Sequence, residues 1–222
     1  MAIQKTEAIL LRRQEIRETS LVLTAFSRNL GKFQGLVKGV RGSRAAVPWY
    51  LEPLTLQAVV LYERKRSPWV LVSTCDLVDA FEPIRRDLTR TAYATFCLDL
   101  VDAMTGVGDP HPEIFDLLLL ALRAMGEKGV DLKSVTRFVE AHLLKFSGLL
   151  PSVESLAISP EAKDGLRQIL GTPFLQMGGV RLGADVERQL RRAHQGLFHR
   201  ALERELRSRT FLNALGLEWE LS

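Results

Sequence analysis

The hydrophobic period of this chain changes once, near residue 80, and that change limits the fold more than any other feature. Upstream, short apolar runs alternate with turn residues, as strands do. Thr6–Arg13 reads as a strand, followed by the polar turn Gln14–Glu18. Thr19–Phe26 reads as a second, ended by Arg28-Asn29-Leu30-Gly31. Lys32–Lys38 is a third, closed by Gly39, and Pro53–Glu63 is a fourth. After the loop Arg64–Pro68 comes a fifth, Trp69–Thr74. No helix long enough to cover a parallel sheet lies between them, which predicts a small closed barrel or a sandwich.

Downstream the period becomes helical. Ile84, Leu88, Ala92, Phe96, Leu100 and Met104 recur every four residues. This is one apolar stripe of a long helix, opened by Pro83 and ended by Gly106 and Gly108. Pro112–Met125 predicts a second helix, and the run Leu117–Leu120, apolar nearly all round, marks it as central. Leu132, Val135, Phe138, Val139, Leu143 and Phe146 predict a third, stopped by Gly148 and Pro151. Ser152–Gly183, broken by prolines and glycines, reads as loops around a short helix at Pro160–Leu170. Val186 to Leu202 predicts a last helix, ending near Arg207. The expected class is α+β and multi-domain: a β domain over residues 1–80, then an all-α helical domain over residues 81–222.

Composition excludes several classes. With 222 residues, 46% apolar and 25% charged, the chain has the profile of a globular protein, neither disordered nor collagenous. The longest uncharged stretch, Gln168–Val180, is too short and too rich in glycine and proline to span a bilayer. Residues 1–13 carry four charges and no small-residue cleavage site, so no secretory leader is expected. Cys75 and Cys97 lack ligand spacing and read as reduced, buried thiols of a cytoplasmic protein.

Enzymatic motifs are missing. The glycines around Gly31-Lys32 do not have the Walker spacing and read as turn and packing residues. His194 and His199 are five apart, off one helix face, and no Cys-x-x-Cys occurs, so no metal is expected. Asp99 and Asp102 read as an exposed acidic face. What remains is charge. Residues 5–44 hold nine basic side chains against three acidic ones, +6 of a total of +4, so the remainder sums to −2. A positive field at one end points to a polyanion partner, with a solubilising face as the plain alternative. Phe33, Trp49, Tyr50, Tyr62 and Trp69 lie within or just after this region, the mixture of cations and ring faces used by single-strand binders.

The ordered blocks Ala8-Ile9-Leu10-Leu11-Arg12-Arg13, Glu18–Phe26, Gly31-Lys32-Phe33, Val37-Lys38-Gly39, Arg41-Gly42-Ser43-Arg44 and Leu51-Glu52-Pro53-Leu54 resemble the RecO family of DNA repair proteins. Phe115–Leu119, Arg137-Phe138 with Glu140, Gly148-Leu149-Leu150-Pro151 and Leu206-Arg207-Ser208-Arg209 continue the likeness over nearly the whole chain. The resemblance implies an oligonucleotide-binding (OB) barrel followed by a helical domain, and a non-enzymatic role in recombinational repair. It implies binding of single- and double-stranded DNA, annealing of complementary strands, association with RecR, contact with the C-terminal tail of single-strand binding protein, and help in loading RecA. It implies a bacterial, cytoplasmic, nucleoid-associated protein. Many members of the family carry four zinc-binding cysteines where this chain has Ser152–Val186. Here only Gly178-Gly179 is kept, so no zinc is expected, and Leu156, Ile158, Leu166, Ile169, Leu170 and Phe174 must hold that region by packing.

On an OB barrel the groove crosses strands two and three. That assigns DNA contacts to Arg17, Lys32, Lys38, Arg41 and Arg44, with Arg12 and Arg13 on the first strand, of which only one can face the groove. Phe33 is the expected stacking residue. Arg188, Arg191 and Arg192 share a face of the last helix and offer a second basic surface, for DNA or for an acidic partner tail. The competing readings are a protein-interaction scaffold and an RNA-binding OB protein.

Overall fold

The computed structural model describes residues 3–16, 20–39, 49–62 and 67–202, with 208 and 212. The chain divides into two compact units. The first is Met1–Glu82 together with Thr105–Phe115; the second is Pro83–Met104 with Asp116–Ser222. The segment after the first long helix therefore belongs with the strands, and the division is not a single cut near residue 80.

The first unit is a five-stranded barrel: β1 (Ile3–Ile16), β2 (Ser20–Ser27), β3 (Gly31–Lys38), β4 (Leu56–Tyr62) and β5 (Val70–Asp79). The strand order β1-β2-β3-β5-β4 closes on itself, and the parallel pair is β3 with β5. A closed five-stranded barrel of this order is the OB fold. Of the two architectures left open by the strand pattern, the barrel is the one adopted. β1 is long because it serves two neighbours, β4 with its first half and β2 with its second. Between Leu10 and Arg12 its register against β2 shifts by a bulge, so Leu10 and Leu11 are both buried. The interior is filled by Ala8, Leu10, Leu21, Leu23, Ala25, Phe33, Val37, Leu51, Val59, Leu61 and Val72. Gly35 sits at the β3–β5 seam, where a Cβ would stand 2.5 Å from a Val72 methyl.

The β2–β3 turn is a three-residue hairpin that ends on Gly31 at φ +64°, with the Ser27 hydroxyl accepting from Leu30 N–H at 3.1 Å. Thr105–Phe115 packs against this end of the barrel. Lys32 bridges to Val107, its carbonyl accepts the Gly108 N–H at 2.8 Å, and Phe115 lies 6.4 Å from the Phe26 ring.

The second unit is helical: α1 (Glu82–Arg85), α2 (Leu88–Met104), α3 (Pro112–Gly126, which begins in the first unit), α4 (Leu132–Phe146), α5 (Pro160–Gly171) and α6 (Ala184–Ala201). The expected single helix from Pro83 is two. The chain breaks after Arg85, and the Asp87 carboxylate accepts from Arg90 N–H at 3.1 Å as α2 starts. The central helix is α4 rather than α3: residues 134–144 are buried without interruption, whereas Leu119 and Leu120 of α3 are only half-buried. Helix α6 ends at Ala201, and the expected extension to Arg207 lies outside the described residues.

Of the residues expected to hold the 152–186 region, Leu166 and Ile169 are fully buried and Leu156, Ile158, Leu170 and Phe174 half-buried, with Met177 and Val180 completing the packing. That segment contains no cysteine or histidine, so it offers zinc neither thiolate nor imidazole. Gly165 lets α5 and α6 close: a Cβ there would meet Val186 at 2.7 Å.

Phe174 also edges onto a ring cluster. His142 stacks on Phe138 with centroids 4.3 Å apart, and Phe174 meets the His142 ring edge-on at 5.1 Å. Burial pushes the His142 pKa down, against the raising effect of its Nδ1 hydrogen bond to the Phe138 carbonyl at 3.0 Å. A histidine lowered on folding is protonated more readily in the unfolded chain. Its contribution to stability is therefore complete above about pH 6.5 and declines as pH falls below that value. Acidification from pH 7 to pH 5 should lower the wild-type thermal midpoint more than that of His142→Phe. Parallel curves for the two proteins would exclude this group as the cause.

Candidate nucleic-acid interface

Opposed residues of an antiparallel pair carry their side chains on one face of the sheet. The registers of β1–β2 and β2–β3 therefore define rows across three strands. On the outer face these are Ile16–Ser20–Lys38, Gln14–Val22–Leu36, Arg12–Thr24–Gln34 and Ile9–Phe26–Lys32. The rows contain three cations and no carboxylate. Lys38 and Gln14 are exposed, and Arg12, Thr24, Lys32 and Gln34 are half-buried. Val22 and Leu36, at 5% and 8% exposure, give the face an apolar centre. Ile9 and Phe26 are fully buried as well, so what these rows leave accessible is a strip of cations, amides and hydroxyls.

The bulge decides which arginine of β1 takes part. Arg12 lies on the outer face opposite Thr24. Arg13 lies on the other side opposite Leu23 and is ion-paired with Glu52. Arg13 thus has a local carboxylate partner, and of the two arginines only Arg12 stands on the face with Lys32 and Lys38. Phe33 lies elsewhere: its ring is 7% exposed and belongs to the barrel core, so it is not a stacking platform on the outer face. Trp69 is the better placed aromatic. It immediately precedes β5, is half-buried, and its indole N–H donates to Gln34 Oε1 at 3.1 Å, which fixes it beside the outer face. Its place in the sequence among basic residues drew attention to it, but only the fold distinguishes it from Phe33. Arg17, Arg41 and Arg44 lie outside the described residues.

On α6, Arg188 and Arg192 are exposed and Arg191 is half-buried. Arg188 donates to Asp185 at 2.6 Å, and this bond and one from Gln189 hold the Asp185 carboxyl below its usual range, Arg192 adding to the effect. Arg191 turns inward, close enough to Tyr93 to act on its phenol. The three arginines share a helix face but do not form one uniform basic surface. Asp99 and Asp102 also differ from expectation: Asp102 is 6% exposed, and Asp99 is half-buried and accepts the Ser208 N–H at 2.9 Å. They tie structure together rather than face solvent.

Neither cysteine is set up as a nucleophile. Burial pushes the Cys75 thiol up to about 12 and raises Cys97, fully buried, as well. Among the described residues no group of three or more His, Cys, Asp or Glu side chains could hold a metal ion. No described helix is long and apolar enough to cross a membrane.

A closed OB barrel with a cationic strand face, joined to an all-α unit, is the class of protein that these features define. A family model described as "Recombination protein O N terminal" matches residues 1–81, and one described as "Recombination protein O C terminal" matches residues 85–159. The chain is 28% identical to the DNA repair protein RecO of Moorella thermoacetica over 96% of its own length and 91% of that protein's. Against the RecO of Pelotomaculum thermopropionicum the identity is 26%, over 97% and 96%. The match to the RecO of Syntrophus aciditrophicus is 30% identical over 71% of this chain, but it spans only 60% of that relative. The chain belongs to the RecO family of DNA repair proteins.

Proposed function

We propose that this chain is a DNA-binding recombination mediator. It holds single- and double-stranded DNA by the phosphate backbone, anneals complementary strands, and acts with RecR to load RecA onto strands coated by single-strand binding protein, whose C-terminal tail it contacts. It works in the bacterial cytoplasm at the nucleoid, without catalysis. The observation that carries the reading is the outer β1–β2–β3 face, where Arg12, Lys32 and Lys38 stand in three of the four rows and no row holds a carboxylate. An annealing protein must neutralise two backbones without reading bases, and spaced cations on a neutral polar sheet supply that. The same chemistry extends to Arg17, Arg41 and Arg44, and Arg188 and Arg192 are assigned a secondary contact from the helical unit.

The test is a salt series of oligonucleotide affinity. Three single-strand phosphate contacts contribute about −2 to the slope of log affinity against log salt. The wild-type slope should be at least that steep, and the combined variant Arg12→Ala, Lys32→Ala, Lys38→Ala should flatten it by about 2. A wild-type slope near zero would favour the protein-interaction scaffold. Tighter binding of matched RNA than of DNA would favour the RNA-binding reading.

A further inference from the structure

The β3–β5 seam is paired at only two positions, Gly35–Val70 and Leu36–Leu71. Ahead of those pairs the barrel wall opens into a cavity of about 310 Å³. This lies at the lower end of the range for pockets that hold a small ligand. Phe33, Leu61, Val70 and Val107 supply apolar walls, while Gln4, Asn29 and Gln34 bring three carboxamides and Lys32 one cation. Among the described residues no carboxylate lines it.

We infer that this cavity receives a single nucleobase from a strand lying on the outer β1–β2–β3 face, an inference that rests on the function proposed above. A base is a planar ring with apolar faces and an edge of mixed donors and acceptors. Apolar walls suit its faces. A carboxamide offers both a donor and an acceptor, so Asn29, with the Nε2 of Gln34 beside it, can meet the edge of any base. Among the described lining residues a free anion would find one lysine and a cationic ligand no counter-charge, whereas the apolar walls and carboxamides suit a neutral ring. The position fits as well. Lys32 and Gln34 belong at once to the outer face and to the cavity lining, so a strand bound along the rows passes the opening. The Gln34 carbonyl is engaged by the Trp69 indole, so its Nε2 is what it offers a base, and Trp69 flanks the site as a ring surface for the next base along. The grip on phosphates gives affinity without sequence. The cavity adds a contact that needs a base to be present but is tolerant of which one.

The experiment compares a fifteen-residue oligothymidylate with an abasic phosphodiester chain of equal length, both labelled, by fluorescence anisotropy over a salt series with the full-length protein. The expected result is a steep slope for both chains and an affinity about ten-fold higher for the oligothymidylate. The variant Asn29→Ala, Gln34→Ala should bring that ratio toward one and leave the slope unchanged, with a small drop in thermal midpoint because Gln34→Ala also removes the bond to the Trp69 indole. Asn29 is in an exposed turn and Gln34 is on the outer face, so neither substitution empties the core. A steep slope with equal affinities for the two chains, or a ratio that survives the double substitution, overturns the cavity assignment and leaves the phosphate track standing. A flat slope, or no binding of either chain, overturns both.

Discussion

Gly31→Ala is expected to destabilise the barrel unit by about 3 kcal/mol, read as a lowered urea midpoint. Two independent causes act at this position. The residue closes the β2–β3 hairpin at φ +64°, a conformation that glycine adopts freely and alanine at a penalty of about 1 kcal/mol. In addition, a methyl group here would collide with the Asp109 carbonyl oxygen, with Pro110 close behind. Backbone, unlike the end of a flexible side chain, cannot step aside cheaply. Gly31→Asn separates the causes, because asparagine tolerates positive φ but is larger. If it is as damaging as alanine, the collision dominates. A loss below about 1 kcal/mol for alanine would mean that the Thr105–Phe115 segment is not held against the hairpin as described.

Glu140→Ala should be more damaging still, by about 3–5 kcal/mol, because it strands charge inside the helical unit. Glu140 is fully buried on α4. One carboxylate oxygen lies 3.0 Å from an Arg137 nitrogen and the other 3.0 Å from His194 Nδ1 on α6. Arg137 is itself only 1% exposed, and its second ion pair, with Glu187, is longer at 3.8 Å. Removing Glu140 takes the shorter of these two ion pairs from a guanidinium in a low-dielectric interior. Glu187→Ala should cost only about 1 kcal/mol, since that pair is long and its carboxylate keeps some contact with water. A replacement of Arg137 and Glu140 together by methionine and leucine should recover much of the loss, as buried pairs often yield to well-packed apolar groups. Equal urea midpoints for Glu140→Ala and wild type would contradict this account of the α4–α6 contact.

These two sites also show which parts of the structure can be read from sequence. The five strands were legible because each buries one face, and alternation records that directly. The α4 span and the α5 start at Pro160 followed from apolar spacing and turn residues, whereas the strand pattern left barrel and sandwich open and only the family resemblance pointed to the barrel. The central helix was not legible. Apolar composition pointed to α3, whereas α4 is the enclosed one and carries Arg137, Glu140 and His142, polar residues whose mutual pairing is invisible along the chain. The break after Arg85 was hidden because the apolar stripe runs straight across it. At the candidate interface, alternation showed that Arg12 and Arg13 face opposite ways, but choosing between them required the bulge at Leu11 and the distant Glu52. Phe33 and Trp69 were equally aromatic and equally near basic residues. Only register and burial separate a ring inside the barrel from one beside its outer wall.

The split make-up of the first unit has a consequence for biosynthesis. A ribosome that has released residues 1–82 has delivered all five strands but not Thr105–Phe115, and α2 must still be translated before that segment emerges. Until then the Phe26 ring lacks its Phe115 neighbour and the Lys32 carbonyl lacks the Gly108 amide. The nascent barrel therefore reaches its final packing only when the first long helix is already outside the exit tunnel, and the two units mature in an interleaved order rather than one after the other.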